Sequence, residues 1–339
     1  MVSHRKARLV DVAKDAGVSP ATVSRAMAQP ELVSVATLRL VHESARRLGY
    51  RPDGLARALA SGRSMTVGAI VPTLDSTIFA HFLQAMQTTL VREGYQLLVA
   101  SHEMNPAAET EAIRTLLDRG VDGLMLVGAK RAREALFLLR TSGVPVILTW
   151  CGDAEFAAVT VDNEHSGELA AQHLIDLGHQ HIGMIVGHLQ FNDRQSGRLA
   201  GARRALRKAG LDLSDGLVSQ QGLTIAGGRS GCAALLDLAT CPTAIIGGID
   251  LFAIGCLQEA QSRGIIVPKG LSVVGIDNID MSAHMMPPLT TVHIPTAQIG
   301  HVAATTLIGQ ITGAAQQHID LPIELVVRQS AEKRHSTLR

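Results

Sequence analysis

Seven apolar, β-rich runs recur after residue 64: TVGAIVP (66–72), YQLLVAS (95–101), DGLMLVG (122–128), PVILTW (145–150), HIGMIVG (181–187), TAIIGG (243–248) and LSVVGI (271–276). Amphipathic helical stretches separate most of them. Strands that are apolar on both faces and alternate with helices build parallel sheets covered on each side. At 339 residues the chain also exceeds one ordinary core, so more than one domain is expected. None of the runs leads into G-x-G-x-x-G or G-x-x-x-x-G-K-[ST], so the sheets carry no nucleotide fingerprint. No G-x-S-x-G elbow supports hydrolysis either, and an enzyme is not expected. What remains is the rule that open α/β sheets bind ligands at the carboxyl ends of their strands.

The first 63 residues have a different character. They hold 11 Lys and Arg against 5 Asp and Glu, a net +6, while the remainder holds 20 against 25, a net −5. A basic head on an acidic body points to a polyanionic partner for the head alone. No apolar run approaches the ~18 residues of a membrane span, and the start MVSHRKARLVDVAKDAG lacks the apolar stretch of a secretory signal. A cytoplasmic protein with no membrane partner is expected. Cys151, Cys232, Cys241 and Cys256 show no CxxC spacing and are read as buried thiols. The histidines, among them His179 and His181, form no metal-ligand pattern, so neither a metal nor a cofactor is expected.

Within the head, Leu9, Val12, Ala13 and Ala16 fall on one helical face. Gly17 can take the left-handed conformation that ends a helix, and Val18 follows as an apolar plug. Ser19 is an N-cap and Pro20 a first helical residue, so a second helix is predicted to about Ala28 with Val23 and Met27 inward. Its outer face carries Ala21, Thr22, Ser24 and Arg25, groups that suit a helix start lying in the major groove. A third helix is predicted over 34–48, with Val41, Ala45 and Leu48 inward and Arg39, Arg46 and Arg47 outward. Helical bundles also dock proteins; the glycine turn, the Ser-Pro cap and the +6 balance within 63 residues favour DNA.

The run VDVAKDAGVSPATVSRAM, followed by VS, by RRLGYRPDGLARALASGRS and by VGAIVP, resembles the lactose repressor (LacI/GalR) family of bacterial transcription regulators over nearly the whole chain. The resemblance implies an all-α helix-turn-helix headpiece (1–50) whose DNA contacts are Ser19, Pro20, Ala21, Thr22, Ser24, Arg25 and Tyr50. It also implies a hinge helix (51–64) that pairs with its copy on the operator. There Leu59 would wedge into the minor groove, and Ala56 would let the two helices approach. Alone, this segment is too short to hold as a helix in water, and an inert tether is the other reading. The resemblance further implies a periplasmic-binding-protein-like α/β domain (65–330) of two Rossmann-like lobes, one formed by 65–162 plus 293–330 and the other by 163–292, before a tail (331–339). The tail AEKRHSTLR lacks leucine heptads, so a homodimer rather than a tail-linked tetramer is expected.

Effector contacts are sought where the strands end. Asp277 closes LSVVGID; by resemblance it accepts hydroxyls of the effector, and alternatively it caps a helix or makes a buried ion pair. Asp162, in VTVDN, lies beside the cleft by resemblance or caps the next helix. Arg194 is placed to meet a carboxylate or phosphate, although the family's arginine aligns with Ser196; a surface arginine is the other reading. Trp150 ends a strand and offers an indole face to a sugar ring or to the core. Phe79 matches a loop that touches effector in relatives, or packs its own helix. Asp250 is read as a helix N-cap, and Ile249 stands where the family usually has asparagine. The expected function is a sequence-specific transcription regulator, a repressor, with operator DNA and a sugar or sugar acid as partners. A periplasmic solute-binding protein and a sugar-processing enzyme are the rivals, and the basic head opposes both.

Overall fold

The computed structural model describes residues 7–50 and 62–334. The chain divides into two compact units, Met1–Thr66 and Val67–Arg339. The hinge positions Ala56, Arg57 and Leu59 lie outside the described residues.

In the first unit, α1 (Leu9–Ala16), α2 (Pro20–Ala28) and α3 (Val35–Arg47) enclose a core of Val12, Ala13, Val23, Ala26, Val41 and Ala45. Gly17 turns the chain at φ +67°, where a Cβ would be strained. The Ser19 hydroxyl accepts the Thr22 amide at 3.0 Å, and Ser34 does the same for Thr37 at 3.2 Å, so both helices start on side-chain caps. Val18 packs against the core as its place in the turn implies, and Tyr50 closes it from below α3. One expected core residue is misplaced: Leu48 follows the last turn of α3 and stays 37% exposed, while Ala26 is buried in α2. Buried Ser44 donates to Asp15, which also receives Arg47; these two bonds hold the Asp15 carboxyl below its ordinary pKa and lock α3 onto α1.

The second unit contains two six-stranded sheets. The first runs in the order β2-β1-β3-β4-β5-β11, from β1 (Thr66–Val71), β2 (Gln96–Ser101), β3 (Gly123–Val127), β4 (Val146–Trp150), β5 (Ala157–Thr160) and β11 (His318–Asp320). The second runs β7-β6-β8-β9-β10-β12, from β6 (Ile182–Gly187), β7 (Val218–Gln221), β8 (Ala244–Gly247), β9 (Ser272–Asp277), β10 (Thr290–His293) and β12 (Glu324–Val326). Both orders reverse between the first and third strands of the lobe, the switch point beside which doubly wound sheets hold ligands. The helices are α4 (Thr77–Arg92), α5 (Pro106–Asp118), α6 (Arg133–Thr141), α7 (Asn163–Asp176), α8 (Asp193–Lys208), α9 (Ile225–Leu236), α10 (Asp250–Ser262), α11 (Asp280–Ala283) and α12 (Thr296–Ile311).

The chain crosses between lobes three times, not twice. It leaves the first lobe after β5, returns after β10 to place β11 beside β5, and crosses again so that Glu324–Val326 pairs antiparallel with Thr291–His293. The expected assignment of 293–330 to the first lobe is thus corrected: β10 and the residues from Glu324 onward belong to the second sheet, because the exposed edge of β10 offers backbone partners to β12. Residues beyond it stay strapped to that lobe, the Glu332 amide donating to Ser272 at 3.2 Å and the Arg334 amide to the Leu177 carbonyl at 2.7 Å. Of the cysteines, Cys232 and Cys256 are buried, Cys151 is half-buried and Cys241 is exposed, which corrects the expectation of four buried thiols.

Helices α7 and α8 touch backbone to backbone. A Cβ at Gly167 would stand 1.8 Å from the Arg198 carbonyl oxygen, and one at Gly201 would stand 1.7 Å from that of Glu164. Neither atom is the free end of a side chain, so a methyl group must force the helices apart. Gly201→Ala is expected to cost about 3 kcal/mol in urea unfolding. Gly216→Ala, where a Cβ meets nothing within 4 Å, is expected to stay within about 0.5 kcal/mol of the parent.

Candidate functional site

On α2, the residues that do not enter the core form one surface. Ser19, Pro20, Ala21, Ser24 and Arg25 are exposed and Thr22 is half-exposed. Ser19 and Thr22 share a hydroxyl–hydroxyl contact at 2.8 Å besides the capping bond, so their orientation is set before anything binds. The Arg25 side chain has no hydrogen bond or ion pair among the described residues, leaving its guanidinium free to fork onto an acceptor pair. Small side chains around one free arginine at a capped helix start fit base edges and phosphates in a major groove. Tyr50, also expected at DNA, is half-buried against the core of this unit.

In the second unit the carboxyl ends of both sheets meet at a cleft. An inner chamber of about 40 Å³ is lined by residues that include Phe79, Trp150, Arg194, Arg198 and Asp277, and it adjoins a wider mouth of about 740 Å³ bordered by Asp75, Glu103, His188 and Gln221. Most of the chamber wall is apolar: Ile78, Leu223, Ile249, Leu251 and Ile279 line it together with the aromatic rings. Trp150 is fully buried between Phe79 (ring centroids 5.5 Å apart) and Phe82 (4.9 Å), both edge-on. Its indole Nε1 has no hydrogen-bond partner. Trp150 therefore belongs to the core and to the chamber at once.

The polar side is organised by Arg198. Its Nη2 lies 3.1 Å from Asp277 Oδ1, its Nη1 donates to the Gly248 carbonyl at 2.6 Å, and its Nε donates to Asn163 Oδ1 at 3.4 Å. Asn163 in turn donates to the Trp150 carbonyl at 3.0 Å. Burial, only partly countered by Arg198, pushes the Asp277 carboxyl up to about 7. Asp277 (φ +127°) and Trp150 (φ +65°) both hold positive φ at the ends of their strands, a backbone conformation that costs non-glycine residues energy and is retained where a site needs it.

Of the expected effector residues, Phe79, Trp150, Arg194 and Asp277 converge on this chamber. Asp162 does not: its carboxylate accepts the His165 amide at 2.8 Å as the cap of α7, and it borders a separate open hollow. Asp250 is not an N-cap. Ile249 holds that position, and the fully buried Asp250 carboxylate accepts from the Ile279 amide (2.9 Å), from Thr291 and from Ser282, tying α10 to β10 and α11. Ile249 itself lines the chamber, so the missing asparagine leaves an apolar wall. Arg198 was not among the expected residues. Its signal was the i, i+4 spacing from Arg194, which places both arginines on one face of α8.

Comparison with known proteins covers both units of the chain. Residues 8–53 match the model for bacterial regulatory proteins of the lacI family, and residues 171–331 match a periplasmic binding protein-like domain. The chain is 32% identical over 328 residues to catabolite control protein A of Priestia megaterium, covering 96% of this chain and 99% of that protein. The solved lac repressor dimer, bound to operator and the anti-inducer ONPF, superposes with a TM-score of 0.88 at 26% identity, covering 97% of this chain and all of that one. A transcriptional regulator CelR–cellobiose complex gives 0.73 at 29% identity over 96% of this chain and all of that one. With the capped α2, its free arginine and the two-lobed cleft all in place, the chain belongs to the lacI family of bacterial regulatory proteins and is a sequence-specific DNA-binding transcription regulator.

Proposed function

We propose that this protein is a homodimeric repressor whose hold on a near-palindromic operator is set by a small polyhydroxylated effector, a sugar or sugar acid, bound in the cleft between the lobes. The observation that carries the reading is the inner chamber: a buried carboxylate, an indole N–H without a partner and two arginines, walled by apolar rings, at the strand ends of both sheets. A sugar offers hydroxyls to the polar groups and a C–H face to the rings. The similar CelR structure holds cellobiose. A second copy is supported by apolar side chains left outside, with Met286 93% and Ile266 65% exposed beside one hollow of the second lobe. In this reading Ala56 and Leu59 pair the hinge segments on the operator, and Leu59 opens the minor groove. The effector shifts DNA affinity only by its differential affinity for two lobe arrangements, and the coupling is reciprocal.

The test is selection of random-sequence DNA by the purified protein at fixed salt, with and without a panel of sugars and sugar acids. Enrichment of a palindrome whose binding responds to one compound is the expected outcome; salt-sensitive binding without an enriched sequence sinks the reading. On the selected operator, Arg25→Ala is expected to cost about 1–3 kcal/mol and to relax one base position, read by gel shift.

Asp277 supplies a pH signature. Its folded pKa of about 7 exceeds the ordinary 3.8, so the folded chain keeps a proton that the unfolded chain gives up. The stability that this contributes is complete below the ordinary value and is lost as pH rises through about 7. Thermal melts at pH 5 and pH 8 are expected to show a smaller pH-dependent loss for Asp277→Asn than for the parent. Effector response should fall in the variant at both pH values.

A further inference from the structure

Arg194 and Arg198 look alike in sequence and are unlike in their bonding. Arg198 spends its Nε and both of its Nη atoms on Asn163, Gly248 and Asp277. Arg194 is 8% exposed, yet its guanidinium makes one hydrogen bond among the described residues, from Nη1 to Asp193 Oδ1 at 3.3 Å. A guanidinium has five N–H donors, and those not turned to Asp193 are left open on the chamber that Arg194 lines. Its partner is also overcommitted: Asp193 accepts from the Arg194 amide (2.9 Å), the Ala129 amide (2.6 Å) and the Lys130 amide (3.2 Å). Those amides occupy the Asp193 oxygens, so Asp193 does not fork onto Arg194 and most of the Arg194 donors are left for another acceptor.

The other unmet groups at the inner chamber are mostly donors as well. Trp150 Nε1 is buried without a partner. Thr77 and Ile78 line the chamber at the start of α4, a 16-residue helix whose N-cap Ser76 makes no side-chain capping bond, so its first amides point their positive end there. Asp277 is the acceptor, and one of its oxygens already faces Arg198. Nearby Glu109 is, like Asp277, pushed by burial toward its neutral form. A chamber lined by two arginines and an unpartnered indole N–H is complementary to an acceptor-rich, negatively charged molecule.

We infer that the effector is an anion, a polyhydroxylated carboxylate or phosphate ester, whose acidic group completes the hydrogen bonding of Arg194 at the N-terminus of α4. This inference rests on the cleft being the effector site. The hydroxyls of the same molecule then reach Asp277, and its C–H face meets Trp150 and Phe79.

The experiment is isothermal titration of the full-length protein with aldonates, uronates and sugar phosphates, each beside its neutral parent sugar. At least one acid or phosphate should bind tenfold or more tightly than its neutral parent, and the carboxylate and phosphate arms tell the two sources apart. Arg194→Met should weaken that anion by about tenfold to a hundredfold and erase the preference, while Arg194→Lys, which keeps the charge without the fork, should recover part of it. Melting curves without ligand show that each variant is folded. Equal binding of neutral sugar and anion, a preference that survives in Arg194→Met, or a parent protein that binds none of the anions overturns the inference. Asp277→Asn in the same titrations separates the two layers. A neutral sugar that needs Asp277 leaves the cleft reading standing without the anion, whereas binding indifferent to both residues removes the cleft reading too.

Discussion

The buried pairing of Arg198 with Asp277 is the interaction on which the second unit is organised. One guanidinium reaches the end of β9 through Asp277, the end of β8 through the Gly248 carbonyl and the first crossing through Asn163. It gets there because Gly167 and Gly201 bring α8 against α7 without intervening side chains. A buried pair of this kind is weak evidence for added stability, since two desolvation costs offset most of the attraction. Its effect is positional: removing either partner would strand a charge, so the strand ends are held in one register. Asp277 is therefore oriented before a ligand arrives, while Oδ1, ion-paired but without an aligned hydrogen bond, retains accepting capacity.

The same region couples the lobes. Asp193, at the start of α8 in the second lobe, accepts amides of Ala129 and Lys130 from the loop after β3 in the first. Ile78 of α4 packs against the apolar core of the second lobe. Within the second lobe, Arg328 donates to Asn278 at 2.7 Å and Asn278 lies 3.2 Å from His293, which fixes the turn after Asp277 to β10 and to the residues after β12. A lobe movement must break or carry the Asp193 and Ile78 contacts. A ligand that touches Arg194 acts beside the Asp193 clasp, which gives an effector a differential contact of the kind a population shift requires.

Much of this was legible in the residues. The seven apolar runs became seven strands within about one residue of their ends, because strands buried on both faces need continuous apolar sequence. The five strands not anticipated are short or at edges: Val218–Gln221 and His318–Asp320 contain hardly an apolar pair, and their pairing is set by neighbours rather than by their own pattern. The third crossing was invisible for the same reason. At the cleft, Trp150 and Arg194 could be named from their places at a strand end and a helix start, Asp277 from its strand end together with the family resemblance, and Phe79 from the resemblance alone. Asp162 misled because an aspartate before a helix reads alike as ligand or cap, and only the 2.8 Å bond to the His165 amide decides it. Arg198 was missed because a buried arginine is rare and nothing local to RQSGR shows that Asp277, 79 positions later, will meet it.

The division of charge bears on how regulation works. The second unit carries the −5 of the chain, and the DNA phosphates repel it. The +6 of the first 63 residues must supply the counterion release that drives binding, and part of that balance, Arg51, Arg57 and Arg63, sits in or next to the hinge segment. If residues 51–64 act as the hinge proposed above, an effector that disordered them would remove phosphate contacts together with the proposed wedge, while leaving the capped α2 and its free Arg25 intact. A chain changed in this way would still carry its reading helix but would have lost part of its electrostatic anchorage. Its remaining DNA binding would be weaker and less steep in salt, and the headpiece itself would not need to unfold.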